Sequence, residues 1–239
     1  VRGWYLLQAQ DIKQTLKSLI EEASAIDSSL AKRLELINRW VKDVKSGSLN
    51  GNTKKFLRLF LEQVIKDSQL WLDIQALGSQ EDQEVYYAKM TATEKYWFRE
   101  LFAKWLKEND PKFIIWRQKL MTGEFRQEDA DLLNSVVNSI EVRGGTVIKR
   151  YIADLSMATD IIVSSRQEKA LCIQLTSLAN KYSQEKSDAW ENTLRFWAIE
   201  RGLFLNYNPS TNEFMNQIVN LTLYNSDNLK SSTYLKFSL

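Results

Sequence analysis

The stretch Thr159–Asn208 limits the fold of this chain more than any other part of it. An apolar run, Ile161-Ile162-Val163, is followed by the polar segment Ser164–Lys169. A second run comes next, Ala170-Leu171-Cys172-Ile173-Gln174-Leu175-Thr176. Short runs rich in Ile, Val and Leu, split by a polar turn, predict an antiparallel hairpin. Between Ser183 and Glu200, the residues Trp190, Leu194, Trp197 and Ala198 recur at helical spacing. Gly202 is placed to stop that helix as a C-terminal glycine does. Leu203–Tyr207 alternates like a strand, and Asn208-Pro209 ends it. A hairpin, a crossover helix and a further strand parallel to the second belong to a mixed sheet.

The polar positions give this unit its character. Asp160 opens the first hairpin strand, and Gln174-Leu175-Thr176 closes the second. Side chains alternate along a strand, so Gln174 and Thr176 share a face, and across the hairpin Asp160 reaches the same end of the sheet. This arrangement resembles the PD-(D/E)xK nuclease superfamily, the restriction-endonuclease-like fold, over roughly residues 141–207. Asp160 matches that family's aspartate, Gln174 stands where it has Glu or, in variants, Gln, and Thr176 stands in place of its lysine.

The resemblance implies a metal-dependent phosphodiesterase acting on DNA, with Mg2+ or Mn2+ as cofactor. A bound metal polarises the phosphoryl group and lowers the pKa of the attacking water, and magnesium takes oxygen ligands, commonly one or two carboxylates. The implied catalytic residues are Asp160, Gln174 and Lys186. The last of these, or Lys181, would replace the missing strand lysine from the following helix. The implied metal ligands are Asp160 and the carbonyl oxygen of Gln174, joined by Glu141 from a preceding helix and Glu185. Arg143, Lys149 and Arg150, just upstream of the acid, are the implied nucleic-acid contacts. The other reading keeps the fold and removes the chemistry: a catalytically inactive scaffold that binds protein or nucleic acid.

Absences narrow the chemistry further. The chain contains no histidine and one cysteine, Cys172. Imidazole-dependent triads and His or Cys zinc sites are therefore excluded. Cys172 lies in a predicted buried strand, reads as a small core residue, and fits a reducing, cytoplasmic compartment. Gly144-Gly145 lacks the spacing of a phosphate-binding loop. No apolar run approaches a membrane span, and the first residues lack a signal-peptide pattern. The net charge of +2 gives no global attraction to nucleic acid, so any such attraction is local.

The first half reads as helical. Ile12, Leu16, Leu19, Ala23, Ile26 and Leu30 alternate in steps of four and three, and Leu34, Ile37, Val41 and Val44 continue the stripe. One long helix or a hairpin broken near Ser28-Ser29 both satisfy it. Its partner is a helix within the chain or a second subunit. Further helices are expected over 53–77, from the capping-box pattern Thr91-x-x-Glu94 to about Glu108, over 112–120 and over 127–140. The tryptophans at helical spacing (Trp71, Trp97, Trp105, Trp116) read as core rather than as stacking platforms. Residues 146–152 fit a strand or a helix end equally. A helix over 211–224 and a tail with Tyr234, Leu235 and Phe237 alternating complete the pattern. The expectation is an α+β protein: a helical domain over 1–140, for partner binding or positioning, and a restriction-endonuclease-like mixed sheet with flanking helices over 141–239.

Overall fold

A computed structural model describes residues 9–43, 51–122, 130–177, 180–209 and 213–239. The chain is α+β: helices fill the N-terminal half, and a five-stranded mixed sheet flanked by helices follows. It divides into two compact units. One comprises Val1–Tyr87 and Trp105–Arg126, the other Ala88–Lys104 and Gln127–Leu239. The sheet-bearing unit thus takes in two helical segments that the sequence pattern grouped with the N-terminal half. Val44, the last residue of the predicted stripe, lies outside the described residues.

In the first unit, α1 (Ala9–Ile26) and α2 (Ser28–Asp43) bury the expected stripe: Ile12, Leu16, Leu19, Ala23, Leu30, Leu34 and Ile37. Ile26, at the end of α1, is exposed instead. The break falls at Asp27 for a local reason. Its carboxylate accepts from the backbone N–H of Ser29 at 2.8 Å and of Leu30 at 3.2 Å, capping α2. The second oxygen accepts from the Trp71 indole at 2.8 Å, which ties the break to α3 (Gly51–Gln75). Trp40, Phe60 and Trp116 pack edge-to-face with centroids 5.4–6.2 Å apart. Trp116 belongs to α7 (Phe113–Thr122), and α4 (Gln80–Ala88) precedes a longer continuous helix.

That helix opens at Thr91 with the predicted capping box, runs as α5 (Ala92–Tyr96), widens into a π-helical segment (Trp97–Phe102) and ends as α6 (Ala103–Lys107). Trp97, Phe98, Leu101 and Phe102 are all buried. The tryptophans singled out in the sequence are core residues throughout.

The sheet runs in chain order, β1 (Thr146–Ile148), β2 (Ile161–Ser164), β3 (Leu171–Thr176), β4 (Arg201–Asn206) and β5 (Thr233–Ser238). The first three strands are antiparallel, and β3, β4 and β5 are mutually parallel. Ile161, Val163, Leu171, Ile173, Leu175, Leu203 and Leu205 share one face. There they pack with Val136 and Ile140 of α8 (Ala130–Val142) and Ile218 and Val219 of α11 (Phe214–Asn228). Each such side chain taken fully out of water contributes about 1.5–3 kcal/mol. Alternation sends Ser164, Cys172, Gln174, Thr176, Phe204 and Asn206 to the other face. That face carries α5, packed on β1 and β2, and α10 (Asn180–Phe196), packed on β4, and α9 (Tyr151–Met157) lies between β1 and β2 in the chain.

Two local expectations are corrected. Residues 146–152 are neither all strand nor a helix end: β1 stops at Ile148 and a new helix, α9, starts at Tyr151. Gly202 does not cap α10. It lies inside β4, where a Cβ would sit 2.3 Å from Leu194 Cδ1 and 2.8 Å from Trp190 Cζ2. The missing side chain lets α10 press onto the strand. The left-handed turn that ends α10 is made by Ala198 at φ 48°. Ile199 N–H returns to Leu194 O at 2.9 Å and Ala198 N–H to Arg195 O at 3.0 Å, the hydrogen bonds of a Schellman cap. Gly202→Ala is expected to lower stability by about 1–3 kcal/mol through overpacking. Ala198→Gly should raise it by about 1 kcal/mol by relieving a left-handed alanine. Opposite shifts of the urea midpoint check the pair, and a neutral Gly202→Ala would remove the packing argument.

Candidate functional site at the end of the second and third strands

Asp160 precedes β2, and its backbone N–H donates to Ile173 O at 2.9 Å, which fixes the register of the hairpin beside Gln174. On the side chain, Oδ2 accepts two hydrogen bonds, from Gln174 Nε2 at 2.7 Å and from the Leu175 backbone N–H at 2.6 Å. The carboxylate entering β2 and the amide leaving β3 therefore meet at one sheet end. Two residues on, the hydroxyl of buried Thr176 accepts from Lys186 Nζ at 2.9 Å. The lysine arrives from α10, although the strand position is a threonine. Lys181 lies on the same helix, with its side chain outside the described residues. Beside Thr176, Asn206 on β4 is buried and in register with it.

A further acid joins the group. Asp154, on α9, acts electrostatically on Asp160. Burial first, then the Asp154 carboxylate, pushes the Asp160 carboxyl well above the usual carboxylate range. The Leu175 N–H, the Lys186 ammonium and the Gln174 amide pull in the other direction. Two half-buried acids that repel one another are held by a turn with its own cost. Ala158, directly before Thr159-Asp160, is left-handed at φ 50°, and Thr159 N–H donates to Ala153 O at 3.1 Å.

Of the remaining predicted residues, Arg150 adjoins the cluster, its carbonyl accepting from the Asp154 N–H at 3.0 Å. Glu141 is exposed in the last turn of α8, and Lys149 is its electrostatic neighbour. Glu185 is exposed on α10. Neither is among the groups that act on the charge of Asp160. Asp154, on the helix directly ahead of β2, is an acid that acts on Asp160. Its signal in the sequence was an acid six residues before Asp160, hidden because α9 was not resolved from the 146–152 pattern. The basic residues divide among different partners. Arg143 donates to Asn220 at 2.6 Å and Asn216 at 3.2 Å, Lys149 donates to Asn134, and Arg150 lies over the Trp97 ring at 6.0 Å.

A divalent cation fits the donor set in one respect. Asp160 and Asp154 offer carboxylate oxygens in a place where burial and mutual repulsion both favour a positive charge. Gln174, as oriented, turns its NH2 toward Asp160 and so holds that carboxylate rather than adding an oxygen beside it. Among the described residues, no three Asp, Glu, Cys or His side chains gather into a group that would hold a metal ion. No family, curated protein or solved structure matches the chain.

The raised Asp160 pKa has a defined consequence. The folded state holds this proton more tightly than the unfolded state, so the group lowers stability as pH rises from about 3.9 toward its folded pKa. Asp160→Asn keeps an acceptor oxygen and removes that loss. Urea unfolding from pH 4 to 8 is expected to show wild type falling relative to Asp160→Asn as pH increases, and parallel curves would refute the buried-acid assignment.

Proposed function

We propose that this protein is a metal-dependent nuclease, or a subunit derived from one, that acts on DNA through the end of β2 and β3. The observation that carries this reading is the convergence of Asp160, Gln174 and, through Thr176, Lys186 at one sheet end. The order resembles that of the PD-(D/E)xK arrangement, with Gln174 in the acid position and a lysine supplied from the helix rather than the strand. A bound Mg2+ or Mn2+ would supply Lewis-acid polarisation of the phosphoryl group and an activated water.

The residues of the chain divide the remaining work. Asp160 and Asp154 would hold the cation. Gln174 and the Leu175 N–H fix Asp160 Oδ2, which leaves the other carboxylate oxygen for the ion. Lys186 brings a positive charge and N–H donors to the place where negative charge builds up on a phosphate. Its bond to Thr176 orients a long side chain that would otherwise sample many rotamers.

A second reading, the catalytically silent scaffold, is favoured by the neutral Gln174 and by the absence of a three-acid cluster among the described residues. Cleavage of supercoiled plasmid in Mg2+ or Mn2+ separates the two. The nuclease reading expects cutting that falls by on the order of 100-fold or more in Asp160→Asn and in Lys186→Ala. Thr176→Lys in the Lys186→Ala background is expected to restore part of the loss, because it returns the amine to the strand. Cleavage that survives Asp160→Asn would sink the assignment. No cleavage, together with no Mn2+-induced rise in melting temperature, would establish the scaffold.

A further inference from the structure

Ser164, at the opposite end of β2 from Asp160, carries a buried hydroxyl for which the nuclease reading has no use. The residue is 1% exposed, and its Oγ has no hydrogen-bond partner. Burying an unpartnered hydroxyl costs on the order of 1–3 kcal/mol, so a serine here calls for an explanation that an alanine would not. Strand alternation puts its side chain on the face that carries α5, and Ser164 lines a cleft of about 640 Å³ between the β1–β2 edge and the helix that runs from α5 into the π-helical segment. This volume falls in the range of small-molecule sites, about 300–1,000 Å³.

The cleft walls have a definite chemistry. Thr91, Lys95 and Arg99 line it from the helix side, and Thr146, Ser164 and Ser165 from the strand side. Glu100 and Glu168 add two carboxylates, of which Glu100 lies 4.0 Å from Lys104. The helix wall includes part of the π-helical segment, a geometry that is rare and recurs at functional sites. Two cations with several hydroxyls suit a phosphate, and the carboxylates accept from sugar-type hydroxyls.

We infer that the cleft between the π-helical segment and the β1–β2 edge binds a small phosphorylated molecule that carries free hydroxyls, of sugar-phosphate or nucleotide size. Lys95 and Arg99 contact the phosphate, and Ser164 gains the partner it lacks. The site is separate from Asp160. Four residue steps along the strand separate them, roughly 13 Å at about 3.3 Å per step. The inference therefore does not depend on nuclease activity.

Ribose 5-phosphate, inorganic phosphate and a short DNA duplex are the probes, each titrated into the full chain by calorimetry. Ribose 5-phosphate is expected to bind saturably and at least about tenfold more tightly than inorganic phosphate, a difference of about 1.4 kcal/mol. Lys95→Gln and Ser164→Ala should each weaken it about fivefold or more, and Asp160→Asn should leave it unchanged. Ser164→Ala removes an unpartnered hydroxyl, so the variant folds at least as well as wild type. An affinity unchanged in Ser164→Ala would make that serine a mere packing residue and overturn the inference. So would the absence of saturable binding, or a duplex that binds as tightly as ribose 5-phosphate through the same residues, which would make the cleft a contact for strand phosphates. Loss of binding in Asp160→Asn would place the ligand in the first site and count against a second one.

Discussion

The register between β2 and β3 governs everything else in the sheet-bearing unit. Asp160 N–H to Ile173 O, and Ile161 opposite Ile173, set the parity of both strands. With that parity Leu171, Ile173 and Leu175 enter the core under α8 and α11, while Cys172, Gln174 and Thr176 face the opposite side. A slip of one residue would exchange the two sets, burying a polar file against leucines and turning the apolar file toward Lys186 and Asp154. The burial that holds the sheet together and the placement of the candidate site are consequences of one pairing.

Helix α10 shows how packing is converted into position. Its middle is drawn onto β4 by Trp190 and Leu194 at Gly202, and Trp190 also lies 5.5 Å from the Phe204 ring. With that contact made, the first part of the helix passes the end of β3 and Lys186 reaches Thr176. Arg201 does comparable work on the other face. Buried in β4, its guanidinium donates to the carbonyls of Ala170, Asn225, Ser226 and Leu229, at 2.6–3.0 Å, and so fastens the end of α11 to the sheet. Cationic donors at a helix C-terminus satisfy carbonyls that the helix leaves open. Arg195, by contrast, is at the surface, paired with Glu191 at 2.6 Å.

The polar face of the sheet is used at both ends. Toward the end of β3 it gathers Asp160, Gln174, Thr176 and Lys186, with Asp154 alongside. Its middle is sealed by the Cys172 thiol, hydrogen-bonded to Thr159 and Tyr96 and pushed up to about 12 by burial, so the one cysteine is an inert core group. At the end of β2 the face meets the cleft beside the π-helical segment. An alanine in a left-handed turn before Asp160 and a hydroxyl without a partner at Ser164 are local costs, and they flank the two polar ends.

Periodicity was enough to give the chain its class and most of its elements. Hairpin, crossover helix and parallel strand were legible because alternation and 3.6-residue spacing are properties of the backbone, and both Asp27 and Thr91 carry their caps in their own side chains. The meeting of Asp160 with Gln174 was legible for the same reason, since a hairpin allows few registers. What the sequence could not decide were the contacts made between elements distant along the chain. α9 is a seven-residue helix, too short for a period to show, so Asp154 and its action on Asp160 did not stand out. Gly202 looked like a cap because the clash it avoids, with Trp190 and Leu194, exists only once α10 lies on β4. Thr176 meets the Lys186 amine from ten residues later, and only the packing of helix on sheet brings that amine to the strand.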